Sequence, residues 1–142
     1  MYDENLIKPM RDEVTRLGIT EARTAADVEA AAKQPGTTFI FINSVCGCAA
    51  GSARPALGLA ATHNTLPDRM ISAFAGNDTE AVARARQYFA GFAPSSPAFG
   101  MLRDGELVWM LERWQIEGHS ASEIAGTLKS AFDEYCGVGA AA

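Results

Sequence analysis

Two thiols one residue apart, Cys46 and Cys48 in Asn43-Ser44-Val45-Cys46-Gly47-Cys48, are the residues whose type and spacing point most directly to chemistry. A thiol attacks as its thiolate, so a reactive cysteine needs surroundings that favour negative charge more than bulk water does. Ahead of the pair, Thr37 to Ile42 is β-branched and aromatic without alternation, the pattern of a central strand covered on both faces. Behind it, an Ala-rich stretch through Ala60 favours helix although it contains Pro55. The cysteines therefore sit where a strand hands over to a helix. With that helix starting near Gly47, the Cys46 sulfur lies by unpaired backbone N–H groups and the positive end of the helix dipole, which can bring a thiol pKa from about 8.5 down to roughly 3.5 to 7.5. Gly47 allows backbone angles that a Cys-x-Cys disulfide would demand, and a strained ring of that kind is readily reduced.

Three other readings of these residues bear weighing. Two neighbouring cysteines can pack as small apolar side chains, but this pair borders a strand end, where α/β proteins meet solvent and ligands. A metal site could join Cys46 and Cys48 to Cys136, His63 or His119; structural zinc sites, however, separate paired cysteines by two to four residues, and no second pair exists. Gly47 and Gly51 follow a strand without the Gly-Lys-Ser/Thr that would complete a phosphate loop.

The elements that must hold the pair are legible from spacing. Leu6, Met10, Val14 and Leu17 recur at helical intervals before Gly18. An extended piece, Ile19 to Arg23, leads to Thr24 and Asp27, which cap a helix ended by Pro35-Gly36. Met70 to Ala75 is a second strand, and Asn77 with Glu80 has capping-box spacing ahead of Val82, Ala85 and Phe89. Ala98 to Leu102 and Leu107 to Leu111 flank Asp104-Gly105, which suits a tight hairpin turn. Ser120 and Glu123 open a last helix with the stripe Ile124, Leu128, Phe132 and Cys136, and the tail after Gly137 is expected to fray. The fold class is α/β: a central mixed sheet flanked by helices on both faces, closing with an antiparallel hairpin and a helix.

Composition limits the partners. The 142 residues suit one domain with its own core, and 12 Lys plus Arg against 17 Asp plus Glu leave a net charge of −5 without a basic run, which argues against nucleic acid and anionic membranes. No apolar run approaches the roughly 20 residues of a membrane-spanning helix. The start, Met1-Tyr2-Asp3-Glu4-Asn5, is acidic where a signal peptide is basic, so a cytoplasmic location is expected. In such a reducing compartment three cysteines read as catalytic or metal-binding rather than as a disulfide framework.

Pro97, behind Ser95-Ser96 and before an apolar strand, reads on base rates as a trans strand-entry proline. Cys136, on its helix stripe, reads first as a core thiol and alternatively as a resolving or regulatory one. His63 and His119 sit near helix ends, where capping or exposure is commoner than catalysis. Phe99, Trp109 and Trp114 read as core, with a groove-lining role open to one of them.

The stretch from Asn43 through Val45-Cys46-Gly47-Cys48-Ala49-Ala50-Gly51 to Ala53-Arg54-Pro55 resembles the signature of the bacilliredoxin family. Phe74-Ala75-Gly76, Ala93-Pro94-Ser95-Ser96-Pro97, Ile116-Glu117-Gly118-His119 and Ala131 to Cys136 resemble it in the same order, over nearly the whole chain. The resemblance implies a thioredoxin-like fold, with Cys46 as exposed nucleophile and Cys48 as its neighbouring thiol, and the strain argument then places the couple above thioredoxin's in potential. It also implies that Ser96-Pro97 is cis and faces the cysteines, where its backbone positions a substrate disulfide, and that Pro55 kinks the active-site helix. The implied activity is removal of bacillithiol, as co-substrate rather than bound cofactor, from mixed disulfides on cytoplasmic client proteins, with disulfide isomerase activity as a second family role.

Overall fold

In the computed structural model, which describes residues 1–137, the chain opens with α1 (Glu4–Thr15), capped by the Asp3 carboxylate on the Asn5 N–H. The expected tail after Gly137 lies outside the described residues. The buried side chains of α1 are Ile7, Arg11 and Val14, so its inner face is rotated from the Leu6-Met10-Val14-Leu17 stripe, and Leu6 is 58% exposed. The cause is electrostatic. Arg11 turns inward and sets its two terminal nitrogens each 2.8 Å from the Asp78 carboxylate, a bidentate pair in which both partners are buried.

After Gly18, at φ +88°, come β1 (Thr20–Glu21) and α2 (Ala25–Ala32), the latter opened by the Thr24–Asp27 capping box. β2 (Thr37–Asn43) is buried along its whole length. A π-helical segment, Ala49–Ala53, runs into α3 (Arg54–Ala60), and β3 (Arg69–Phe74) follows. α4 (Thr79–Tyr88) takes Asp78 as its N-cap, not Asn77. Asn77 is drawn away by the N-terminus, accepting the Tyr2 N–H and donating to the Tyr2 carbonyl and Glu4. β4 (Ala98–Arg103) and β5 (Glu106–Leu111) form the hairpin, with Asp104 at φ +50° and Gly105 at φ +83°, the both-positive pattern of a type I′ turn. A four-residue α5 (Arg113–Ile116), unforeseen from spacing, precedes α6 (Ala121–Cys136) and its Ser120–Glu123 capping box.

The sheet order is β1-β3-β2-β4-β5. β3 is parallel to β1 and β2, and β4 runs antiparallel to β2 and β5. Alternation along β2 feeds two cores. Phe39 and Phe41 join Phe99, Met101, α3 and α6, whereas Ile40 and Ile42 join α2 and α4. Phe99 stacks at 5.5 Å on Phe39 and 4.8 Å on Phe41, and Phe132 meets Phe39 edge-on at 5.3 Å. Among the described residues no helix is long and apolar enough to cross a membrane.

On the second face Gly100 makes room for Phe89, since a Cβ there would lie 2.2 Å from the Phe89 ring. Gly100→Ala is expected to cost about 1 to 3 kcal/mol through forced displacement of that ring. Thermal unfolding followed by circular dichroism would read it, and an unchanged midpoint would show that the ring yields freely.

Candidate active site

The site is built at the end of β2, where the strand stops hydrogen bonding and its last side chains brace the loop. Asn43 Oδ1 accepts the Ser44 N–H at 2.8 Å and the Arg54 guanidinium at 3.1 Å, and its Nδ2 donates to the Met10 carbonyl at 3.2 Å. Ser44 Oγ accepts the Cys46 N–H at 3.1 Å. The Cys46 carbonyl then takes the N–H groups of Ala49 (3.0 Å) and Ala50 (3.2 Å), which starts the helix. The Cys48 N–H points at Cys46 Sγ over 3.4 Å, and the two sulfurs, both free thiols, are 2.7 Å apart.

Local chemistry makes the two thiols unequal. The hydrogen bond from Cys48 holds Cys46 below the usual thiol pKa; the Cys48 and Ala49 N–H groups and the positive charge of Arg113 add to this against the cost of burial. Burial, first, and then the bond and charge of Cys46 push Cys48 upward. As pH rises Cys46 ionises first, and protonated Cys48 is its donor.

Gly47 lies between two free thiols, whereas the special backbone angles were expected of the disulfide form. It is exposed, it is absent from the positive-φ glycines, and a Cβ would meet nothing within 4 Å. In this thiol state glycine is not demanded by backbone angle; its bareness leaves the pair open to an approaching sulfur. Ahead of Pro55 the helix widens: the Arg54 N–H reaches back five residues to the Ala49 carbonyl, and the π segment ends just before the proline. Pro55 has no N–H for the carbonyl four residues back and its ring would crowd that group, so a wider turn relieves both problems.

The register Ile42↔Ala98 brings Pro97 across from the end of β2, beside the loop that carries Cys46. The Ser96–Pro97 bond is cis, against the base-rate reading of trans and as the family resemblance implies.

Two arginines escaped the sequence reading. Arg54, only 4% exposed, donates to the Ser44 carbonyl at 2.8 Å, to Asn43 and to the Glu13 carboxylate at 2.6 Å; a charged residue inside an Ala-rich helix gives no sign of which way the π segment will aim it. Arg113 opens α5, donates through Nη1 to the Ser96 carbonyl at 3.3 Å and pairs through Nε with Glu117 at 2.5 Å. Its sequence signal was the Glu112-x-x-Gln115 spacing, which forms a capping box.

Of the remaining candidates Cys136 lies at the other end of the sheet, whereas the His119 carbonyl accepts the Ser52 hydroxyl at 2.9 Å, on the segment that follows the cysteines. Cys136 packs 3.9 Å from the Met101 sulfur and interacts with Thr37 and Arg103, with burial raising its pKa. Thr37 and Arg103 pair at the far end of β2, and seven extended residues span about 20 Å. Cys136 is therefore not brought to Cys46 and Cys48, and the shared ligand set does not form. His63 binds the Asp133 carboxylate at 2.8 Å, and His119 faces Glu123 at 3.6 Å. Phe99 is core and Trp109 is half-buried, but Trp114 is 71% exposed. In the single turn of α5 it is Ile116 that is buried, and the Trp114 indole reaches outward to Glu112.

Comparison with known proteins adds independent observations. A family model described as disulphide isomerase matches residues 2–136. A bacilliredoxin of Koribacter versatilis is 51% identical over 143 residues, covering 100% of this chain and 99% of that protein. A bacilliredoxin of Staphylococcus aureus is 46% identical over 136 residues, covering 96% and 94%. Among solved structures, the oxidised thioredoxin of Plasmodium falciparum matches with a TM-score of 0.57 at 13% identity, over 80% of this chain and 98% of that one. A thioredoxin mutant of Entamoeba histolytica matches at 0.55 and 12% identity, over 79% and 98%. The fold is thioredoxin-like.

Proposed function

Because the chain belongs to the disulphide isomerase family and, with its bacilliredoxin relatives, is a thiol–disulfide oxidoreductase, we propose that it removes bacillithiol from client-protein mixed disulfides through Cys46. The observation that carries the reading is the unequal thiol pair at a helix start, with Cys46 lowered and Cys48 raised. The Cys46 thiolate attacks the bacillithiol sulfur; a Cys46–bacillithiol bond forms, the client bond breaks, and the client cysteine leaves as a thiolate that takes a proton from water. Cys48 then loses its proton and attacks Cys46, expelling bacillithiol and leaving a Cys46–Cys48 disulfide, or a second bacillithiol attacks and leaves as bacillithiol disulfide. Gly47 leaves the pair accessible, and Ser96 and Pro97 offer backbone groups to the incoming disulfide. The clients in this reading are cytoplasmic, and no bound cofactor is needed.

The test is mass spectrometry of the reduced protein mixed with a bacillithiolated client. Gain of one bacillithiol on the Cys46 peptide, with the client returned to its thiol, is the expected result; a client that stays modified would overturn the reading. The printed description of the family model favours a second use of the same thiols, disulfide isomerisation, which recovery of activity from scrambled ribonuclease would reveal.

Two further outcomes are expected. Alkylation of Cys46 by iodoacetamide tracks its thiolate, so a lowered pKa shifts the rate-against-pH midpoint below the roughly 8.5 of a free cysteine. Cys48→Ala removes the largest cause of that shift and is expected to move the midpoint upward. A midpoint unmoved by Cys48→Ala would assign the effect to the backbone and Arg113 alone.

A further inference from the structure

Exchange at Cys46 changes the charge that Arg113 faces. Its guanidinium is held on the Ser96 carbonyl at 3.3 Å, beside the cis Pro97 that the β2–β4 register sets next to the Cys46 loop, so its charge favours the Cys46 thiolate before attack; once a mixed disulfide has formed that sulfur is neutral, and the cation is left near whatever group the sulfur now carries. Arg113 is built to meet such a group. Its side chain is 45% exposed, and the Ser96 carbonyl on Nη1 and Glu117 on Nε hold it from two sides. Among the described residues no hydrogen bond engages Nη2, so part of the fork is open to solvent. The other arginine near the loop, Arg54, is buried and committed to Glu13, Asn43 and Ser44. In a chain of net charge −5 an anionic small molecule approaches against the overall field, and a local cation at the point of reaction offsets that repulsion.

We propose that Arg113 is a substrate-binding residue that receives a carboxylate of the small thiol, so that the exchange selects anionic low-molecular-weight thiols over neutral or cationic ones. The inference rests on the reading of Cys46 as nucleophile and names the class of thiol it takes. In each turnover the Cys46 thiolate bonds to the small thiol's sulfur, the bond joining that sulfur to its partner breaks, and the partner leaves as a thiolate with the electron pair: the client cysteine in the proposed reaction, the second small thiol with a symmetrical disulfide. Arg113 takes no part in that electron count. It orients the group that stays, and Glu117 keeps the guanidinium aimed while sharing it.

The test measures second-order rates of adduct formation on Cys46, by quenched-flow mass spectrometry at low ionic strength, with three symmetrical disulfides: dithiodiglycolate (anionic), hydroxyethyl disulfide (neutral) and cystamine (cationic). Arg113→Gln is expected to slow dithiodiglycolate about fivefold relative to hydroxyethyl disulfide, the scale of one exposed charge pair, and to speed cystamine on the same scale. The neutral disulfide reports any change in the thiolate itself, which a purely activating role would impose equally on all three. At 1 M salt, where screening acts over about 3 Å, the wild-type differences should shrink. Equal effects on all three disulfides, or no change in their ratios, would overturn the proposal. Failure of the wild-type Cys46 to react with any of them would instead remove the reading of the nucleophile on which it rests.

Discussion

Cys46→Ser is expected to lower bacillithiol transfer by at least about 10³-fold, because it replaces a thiol that already ionises readily by a hydroxyl that does not. Serine keeps the backbone N–H that Ser44 Oγ accepts and nearly the same volume, so the fold should survive and the loss should lie in chemistry. Cys48→Ser separates the two halves of the reaction. Its first transfer should proceed, since Cys46 is intact, while resolution by the partner thiol is removed and the Cys46 adduct accumulates when no second bacillithiol is supplied. Intact-mass measurement over time reads both variants in one experiment. Full transfer by Cys46→Ser would defeat the assignment, and an adduct that, with free bacillithiol added, clears as fast in Cys48→Ser as in the wild type would give resolution to the second bacillithiol.

Arg11→Met should have the largest effect on stability, about 3 to 5 kcal/mol, because it leaves the Asp78 carboxylate buried without its cation. Asp78 would keep only the Phe74 N–H, which donates to it at 2.9 Å. The double variant Arg11→Met with Asp78→Asn removes the stranded charge while an amide oxygen can still accept that N–H, so it should be milder than Arg11→Met alone. Urea unfolding of the wild type, of Arg11→Met, of Asp78→Asn and of the double variant measures this coupling. A cost below about 1 kcal/mol for Arg11→Met would mean that water reaches Asp78 once the arginine is gone.

That pair also shows where pattern reading fails. Apolar spacing put Leu6 on the inner face of α1, and it cannot weigh an arginine whose partner is sixty-seven residues away. Asn77 failed as a cap for a similar reason: the rule is local, and the N-terminus took the side chain. Trp114 failed because a large aromatic counts as core unless its element is too short to bury it, and the one-turn α5 was unseen.

What the sequence determined by itself is what depends on neighbours in the chain. The β-branched and aromatic run without alternation at 37–42 is a doubly covered strand, the Thr24 and Ser120 capping boxes start their helices where spacing placed them, and Asp104-Gly105 makes the hairpin. Cys46-Gly47-Cys48 at a strand-to-helix junction was legible for the same reason; the helix-start N–H groups do favour the Cys46 thiolate, but the larger cause is the Cys48 thiol, which the helix argument did not weigh. Tertiary structure alone decided which distant groups meet there. The antiparallel register of β2 and β4 carries Pro97 to the end of β2, the π segment ahead of Pro55 turns Arg54 under the loop, and α5 swings Arg113 onto the Ser96 carbonyl. It also sends Cys136 to the other end of the sheet. Short-range preferences are set by backbone sterics and hydrogen bonds within a few residues, whereas a charge finds its partner only after strand pairing and helix packing have fixed the distance between them.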